Sequence, residues 1–171
     1  MKEFLYDTRA YFSDTDAGGI VYHASYIDWA EHARTEMLRE MVPDKSQAEL
    51  AEGENGILIL VRSIKIEYQK PGYLDDKITV HTSMEEMRRL SCTVRQVVMR
   101  GEDTLADIRV GLAFVNSQTK KPALIPEFIS KAFEENVPYS DNLKARIEEA
   151  ENPENLQKFK DVNSLMESLD S

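Results

Sequence analysis

The sequence predicts an α+β fold in which one long helix packs against an antiparallel β-sheet. Residues 25–41 carry apolar side chains at intervals of three or four positions, which is typical of a helix with one buried face. Residues 64–114 alternate between apolar and polar side chains in four successive segments separated by short turns. Because short turns favour antiparallel pairing over crossover connections, these segments predict one antiparallel sheet.

The first strand and the long helix open the domain. The alternating residues that would share one face of this strand are Phe4, Tyr6, Thr8, Ala10 and Phe12. Ser25 is predicted to be the N-cap residue of the helix, with Asp28 in a capping-box-like position. The apolar face of the helix is predicted to contain Tyr26, Ala30, Ala33, Met37 and Met41. Pro43 is expected to end the helix, since proline is common just after a helix terminus.

Four further strands are predicted within residues 64–68, 78–84, 90–98 and 106–114. The turns between them are expected at Pro71-Gly72, at Arg88-Arg89 and at residues 101–103. With the strand at the amino terminus, the predicted sheet has about five strands.

The carboxyl-terminal part differs in composition from the rest of the chain. After a polar turn at residues 116–126, a short helix is predicted from Pro126 to Phe133. We expect one domain over residues 1–139 and an acidic extension over residues 140–171, with two amphipathic helices broken near Pro153. The apolar faces of these helices are expected to pack on the parent domain or on a sister subunit.

Composition excludes several classes of protein. The chain of 171 residues suits one domain, and its formal charge of −10 argues against nucleic-acid binding, which needs clustered Lys and Arg. Cys92 is the only cysteine, which excludes an internal disulfide and a multi-cysteine metal site. No apolar run approaches the ~20 residues that cross a bilayer, which leaves only peripheral contact with a membrane open. The amino terminus does not resemble a secretory signal, so a cytoplasmic location is expected.

The stretch DTDAGGIVYHASY, residues 14–26, combines features of a reactive site. Asp14 and Asp16 are two residues apart, so an extended backbone would direct both carboxylates to one side. Gly18 and Gly19 leave the approach open, and the helix start supplies unsatisfied N–H groups at its positive end. Such groups can stabilise the oxygen that becomes negative during acyl transfer, while an acid attacks or activates water. This loop predicts hydrolysis of an activated acyl group, although Asp residues in loops often serve only local structure.

Other kinds of site have little support in the sequence. A metal site formed by Asp14, Asp16 and His23 would lack any ligand pair at helical spacing, so no metal is expected. His32 and His81 are isolated and are expected to be structural. The chain has no G-x-S-x-G nucleophile elbow and no Rossmann or P-loop phosphate motif.

The same loop carries a resemblance to a known family. The stretch YFSDTDAGGIVYHASYIDWAEHARTEML resembles the signature of hotdog-fold acyl-CoA thioesterases of the 4-hydroxybenzoyl-CoA type, and is most similar to the bacterial branch encoded alongside Tol-Pal genes. IKIEYQKPGYLDDKITVHTSM and VNSQTKKPALIP are similar to later parts of the family domain. The resemblance covers roughly residues 4–130. It implies the hotdog fold, in which an antiparallel sheet wraps a long central helix.

The resemblance also implies roles for residues of the loop. Asp16 corresponds to the catalytic carboxylate of the family, acting as nucleophile or general base. The backbone N–H near Tyr22 and His23 corresponds to the group that polarises the thioester carbonyl, and His23 matches a histidine proposed to assist catalysis. Gly18 and Tyr22 are expected to contact the substrate. No separate cofactor is implied, because coenzyme A is part of the substrate.

Further implications concern coenzyme A and assembly. Arg88 and Arg89 fall where relatives bring basic residues to the nucleotide phosphates of coenzyme A, although such a corner alone would be a solvated turn. The family implies a homodimer or homotetramer with sites at subunit interfaces. Many relatives carry Tyr-Tyr where this chain has Tyr11-Phe12, so the hydroxyl at the second position is missing.

Two alternatives remain open at the level of sequence. Another hotdog branch uses a glutamate on the central helix, and Glu31 and Glu36 are available for that role. A noncatalytic hotdog scaffold that binds acyl groups or partner proteins is the second alternative, because one fold can host unrelated functions. The sequence does not specify the acyl group, and it does not distinguish an anhydride intermediate from direct attack by water.

Overall fold

A computed structural model describes residues 3–134 of the chain. The predicted boundary at residues 139 and 140 and the helices predicted after it lie outside the described residues. The elements, in chain order, are β1 (Phe4–Arg9), a 3₁₀ turn (Phe12–Asp14), α1 (Ser25–Met41), α2 (Gln47–Leu50), β2 (Ile57–Tyr68), β3 (Lys77–Met87), β4 (Ser91–Arg100), β5 (Asp103–Asn116) and α3 (Glu127–Glu134).

The five strands form one antiparallel sheet in the order β1-β3-β4-β5-β2. Arg9 at the end of β1 pairs with Lys77 at the start of β3, so the chain after β1 emerges where β3 begins. β2 pairs with β5 along its whole length and leaves its other edge unpaired within the described chain. A bulge between Val61 and Ser63 shifts the register of β2.

Helix α1 packs against one face of this sheet. Most of the predicted apolar stripe of α1 is buried, and Trp29 and Leu38 extend it. Ala30 and Ala33 are nearly inaccessible, since their small side chains let the helix approach the strands closely. The sheet residues below the helix share the inward-facing positions and include Ile78, Val80, Val94, Val98, Ile108 and Val110. This is the predicted arrangement of one long helix on one antiparallel sheet.

A polar network fixes α1 on the sheet. Gln96 on β4 is fully buried, and its side-chain amide donates to the Ala30 carbonyl at 2.8 Å and to the Thr82 hydroxyl at 3.0 Å. Its amide oxygen accepts a hydrogen bond from Arg34 Nη1 at 2.7 Å. Burial lowers the pKa of Arg34. One side chain therefore links the helix to two adjacent strands.

The ends of several elements differ from the sequence-based prediction. β1 ends at Arg9 and not at residue 12, because the chain turns into the 3₁₀ segment and exposes Phe12. Ala24, not Ser25, is the N-cap residue of α1, and the Ser25 hydroxyl donates to the Asp14 carbonyl at 3.3 Å. This bond ties the helix start to the loop before it.

The polar segment before β2 contains more structure than predicted. α2 is a one-turn helix with a capping box, in which Ser46 accepts from the Glu49 N–H and the Glu49 carboxylate accepts from the Ser46 N–H. β2 begins at Ile57, seven residues before the predicted strand. The helix predicted from Pro126 is observed as α3.

Candidate active site

The loop between β1 and α1 folds back on itself as a small hairpin. The Tyr22 N–H donates to the Asp14 carbonyl at 2.7 Å, and the Asp16 N–H donates to the Ile20 carbonyl at 2.9 Å. Gly19 lies at the tip with a φ of 74°, a left-handed conformation that glycine adopts without steric cost. The two glycines of the sequence motif therefore form the turn of a hairpin.

This hairpin is attached to the turn before β3. The Val21 N–H donates to the Gly72 carbonyl at 2.8 Å, and the Gly72 N–H donates to the Tyr26 hydroxyl at 3.0 Å. A Cβ atom at residue 72 would lie 3.0 Å from Val21 Cγ2 and 3.2 Å from the Tyr26 hydroxyl oxygen. Glycine at position 72 therefore permits the close contact that holds the loop in place.

The two aspartates of the loop have different surroundings. The Asp14 carboxylate accepts the Tyr11 N–H at 2.8 Å and so closes the 3₁₀ turn. Asp16 is exposed, and its Oδ1 atom accepts the Gly18 N–H at 2.7 Å. Within residues 3–134, nothing hydrogen-bonds to Asp16 Oδ2. Asp16 is thus oriented by its own loop and keeps one carboxylate oxygen available.

The start of α1 presents two backbone donors beside this loop. The Tyr22 N–H is already bonded to the Asp14 carbonyl, so it is not one of them. The N–H groups of His23 and Ala24 donate to no acceptor in the described part of the chain. Because they lie at the positive end of a 17-residue helix, they can bind a negatively charged oxygen.

The carbonyl groups next to these donors are held in place. The Tyr22 carbonyl accepts the Ser25 N–H at 3.0 Å, and the His23 carbonyl accepts the Tyr68 hydroxyl at 2.9 Å. The Tyr68 ring lies edge-on to the Tyr26 ring, with centroids 5.4 Å apart. Partial burial raises the pKa of the Tyr68 hydroxyl, so it remains a hydrogen-bond donor at neutral pH. The sequence pattern identifies Tyr68 only as the last residue of a strand.

The side chains of Tyr22 and His23 are both exposed next to the loop. Their rings lie against each other, with centroids 4.3 Å apart. No hydrogen bond to the His23 ring is found among residues 3–134. Phe12, at the position where the resemblance indicated a missing hydroxyl, is 82% exposed.

The similarity of this chain to known proteins shows its family. The thioesterase-like superfamily matches residues 11–133. The chain belongs to this superfamily. It is 38% identical to the acyl-CoA thioester hydrolase YbgC of Escherichia coli over 133 residues, which cover 77% of this chain and 96% of the relative. It is 35% identical to the acyl-CoA thioesterase YbgC of Haemophilus influenzae, with 76% and 93% of the two chains covered.

A solved structure extends the comparison to the fold. The protein superposes on the 1,4-dihydroxy-2-naphthoyl-CoA thioesterase from Synechocystis with a TM-score of 0.70. The superposition covers 77% of this chain and 96% of the other. At 17% sequence identity this likeness concerns the fold alone. The predicted family, the hotdog fold and the assignment to thioester hydrolases are confirmed.

Within a single subunit, Arg88 and Arg89 do not lie near Asp16. The Asp16 loop lies beside the start of β3, whereas the two arginines follow its end. Eleven residues separate Lys77 from Arg88, which at 3.3 Å per residue is about 36 Å. Arg88 Nε pairs with Glu86 at 3.0 Å, and the Arg89 carbonyl accepts the Ile125 N–H at 3.0 Å.

The alternative acids on α1 are engaged in contacts along the helix surface. Glu31 accepts a hydrogen bond from the Thr35 hydroxyl at 2.8 Å, and Glu36 pairs with Arg39. Both carboxylates are exposed. Within residues 3–134 no cluster of three His, Cys, Asp or Glu side chains is close enough to hold a metal ion. None of the described helices is long and apolar enough to cross a bilayer.

Proposed function

We propose that the protein hydrolyses acyl-CoA thioesters and that Asp16 is the catalytic carboxylate. The main support is the juxtaposition of Asp16, held by the Gly18 N–H, with the available N–H groups of His23 and Ala24 at the start of α1. The relatives named as acyl-CoA thioester hydrolases match over most of the chain, and the superfamily match at residues 11–133 includes this loop.

In the proposed reaction the thioester carbonyl oxygen binds at the helix start. The N–H groups of His23 and Ala24 stabilise the negative charge that this oxygen acquires in the tetrahedral intermediate. As general base, Asp16 removes a proton from the water whose oxygen attacks the carbonyl carbon. As nucleophile, Asp16 would form an anhydride that water then hydrolyses. In both routes the carbon–sulfur bond breaks, and the coenzyme A thiolate leaves and takes up a proton.

The exposed side chains around the loop suit the proposed substrate. Gly18 adds no side chain beside the carboxylate, since a Cβ there would lie 3.0 Å from Asp16 Oδ1. The His23 ring and the Tyr22 ring are accessible to a bound ester. We assign Tyr22 to substrate contact and His23 to assisting the departure of the thiolate.

The proposed function includes a second subunit and a cytoplasmic setting. Arg88 or Arg89 binds the phosphates of coenzyme A from another copy of the chain, because their own Asp16 lies beside the start of β3, about 36 Å along that strand from Arg88. The assembly is a homodimer or a homotetramer in which the sites lie at subunit interfaces. No separate cofactor is required, since coenzyme A enters as part of the substrate.

The test compares Asp16→Asn with Glu31→Gln in one thiol-release assay on hexanoyl-, dodecanoyl- and benzoyl-CoA. Asp16→Asn is expected to lower kcat by about 10²- to 10⁴-fold, because general-base or nucleophilic assistance is lost. Binding of the ester, measured by calorimetry, should change little. Glu31→Gln is expected to keep wild-type turnover, since its carboxylate contacts Thr35 on the helix surface.

The outcomes separate the alternatives. Loss of turnover in Glu31→Gln and not in Asp16→Asn would place the catalytic acid on the helix. If the wild type binds these esters and releases no thiol from any, the protein is a noncatalytic acyl-binding scaffold. The relative turnover of the three esters identifies the preferred class of acyl group.

A further inference from the structure

We propose that Tyr68 is a positioning residue whose hydroxyl fixes the peptide that carries one of the two oxyanion donors. The inference rests on the proposed function, in which the N–H groups of His23 and Ala24 bind the thioester oxygen. The Tyr68 hydroxyl donates to the His23 carbonyl at 2.9 Å. This contact joins the sheet edge to the helix start.

The geometry of a trans peptide links this hydrogen bond to the donor. The carbonyl of His23 and the N–H of Ala24 belong to one planar peptide unit and point in opposite directions. Fixing the His23 carbonyl on the Tyr68 side therefore fixes the direction of the Ala24 N–H on the other side. The Tyr22 carbonyl is held in the same way by the Ser25 N–H, which orients the N–H of His23.

The helix itself does not hold the His23 carbonyl. A regular first turn would direct the Ile27 N–H to this oxygen, but the Ile27 N–H donates to the Ala24 carbonyl at 2.9 Å instead. In the described part of the chain the Tyr68 hydroxyl is the one donor to the His23 carbonyl. Without it, the peptide between His23 and Ala24 would be free to rotate.

Tyr68 is itself held by the sheet and by an aromatic contact. It is the last residue of β2 and pairs with Ala106 on β5. Its ring packs edge-on against Tyr26, whose hydroxyl accepts the Gly72 N–H from the turn that holds the loop. The phenol therefore belongs to the same rigid group of contacts that places the Asp16 hairpin.

The first experiment compares Tyr68→Phe with Tyr73→Phe in the thiol-release assay, using the ester of the panel that the wild type hydrolyses fastest. Tyr68→Phe keeps the ring and removes the donor, and we expect kcat to fall about tenfold at unchanged KM, because one oxyanion donor is less well aligned. Tyr73 is a matched control, since it is also a half-exposed tyrosine near the loop and its hydroxyl has no hydrogen bond within residues 3–134. Tyr73→Phe should match the wild type.

A second measurement reports on the donor without turnover. In an Asp16→Asn background, the infrared stretching frequency of the bound thioester carbonyl, isolated by ¹³C labelling, measures how strongly the donors polarise it. We expect the shift to lower frequency on binding to be smaller in Asp16→Asn/Tyr68→Phe than in Asp16→Asn. A purely structural role of Tyr68 would change the unfolding temperature and leave this frequency alone.

The results distinguish this inference from the proposed function. Equal kcat values and equal carbonyl frequencies with and without the Tyr68 hydroxyl overturn the inference and leave the proposed function intact. A rise in KM with unchanged kcat also overturns it, because Tyr68 would then contribute to binding alone. Absence of thiol release by the wild type overturns the proposed function, and the carbonyl frequency then still decides the role of Tyr68.

Discussion

Asp14 and Asp16 have identical side chains, but their carboxylates accept hydrogen bonds from different backbone N–H groups and so have different roles. The Asp14 carboxylate accepts a backbone N–H from the chain before it and closes a turn. Asp16 accepts an N–H two residues after it, in a hairpin whose tip is glycine, and one of its oxygens stays available. The resemblance selected Asp16, and the hydrogen bonds provide a physical reason for that choice.

The reactivity of Cys92 is a prediction at the same scale. Burial raises the pKa of this thiol to about 12, so only about 10⁻⁴ of it is thiolate at pH 8. We expect no alkylation of the folded protein by iodoacetamide at that pH and complete alkylation in guanidinium chloride, both followed by mass spectrometry. Labelling of the folded protein at the rate of the unfolded chain would show that β4 opens readily.

The local sequence pattern identifies one part of the candidate site and misses another part. Asp16, Gly18 and His23 are adjacent in one motif, so a local pattern brings them together. Tyr68 reaches the same place from 45 residues away, and nothing in its strand distinguishes it from other inward-facing residues. The bond between Tyr22 and Asp14 is also invisible in the sequence, because it depends on how the loop folds back.

At the level of elements, Gln96 explains why the central helix has a defined position on the sheet. Apolar contacts alone allow a helix to slide, whereas directional hydrogen bonds require one arrangement. The amide of Gln96 bonds to the Ala30 carbonyl and to Arg34, four residues apart on α1. The helix start, and with it the two candidate oxyanion donors, is therefore fixed relative to β4.

Replacing Gln96 with leucine should destabilise the domain. The substitution puts an apolar side chain of similar size in the core and leaves the partly buried guanidinium of Arg34 without its acceptor. We expect the free energy of unfolding, measured with urea, to fall by about 2–4 kcal/mol.

Gln69→Leu is the control for this substitution, because Gln69 is exposed, and it should change the free energy of unfolding by less than about 0.5 kcal/mol. A similar small effect of Gln96→Leu would contradict the role assigned to the polar network.

The sequence predicted the type of most elements and missed several of their ends. Alternation identified β3, β4 and β5 because these strands have one face under the helix. It failed at the start of β2, where a bulge and the edge position expose Leu60 and Val61 together. It also failed at Ser25, whose hydroxyl bonds to the loop and leaves the cap position to Ala24.

For the molecule as a whole, the free edge of β2 is an apolar surface without cover in the described chain. Val61, Ile64 and Tyr68 face the helix side of the sheet and remain 50%, 38% and 47% exposed. Edge strands that are long and apolar tend to pair with another chain. This supports the proposed dimer, with β2 of one copy beside β2 of the other.

Ile64→Lys should therefore shift the protein toward monomer in sedimentation velocity experiments, because a charge would be placed in the apolar contact. We expect thiol release to fall in parallel if the sites lie at this interface. Leu5→Lys is the matched control, since Leu5 is an exposed apolar residue on the opposite edge strand. An oligomeric state that Leu5→Lys changes and Ile64→Lys does not would show that the dimer uses β1.

The unequal lengths of the two sheet edges limit how far such assembly can continue. When two copies join through β2, their five-stranded sheets become one of ten strands, and only β1 remains at each border. β1 has six residues, and the side chain of Arg9 near its end is bonded to the Asp75 carbonyl of the same chain. A short border of this kind is a poor template for further strands. In the proposed dimer, lateral growth would therefore stop after a single symmetric step, and the protein would not polymerise into fibres.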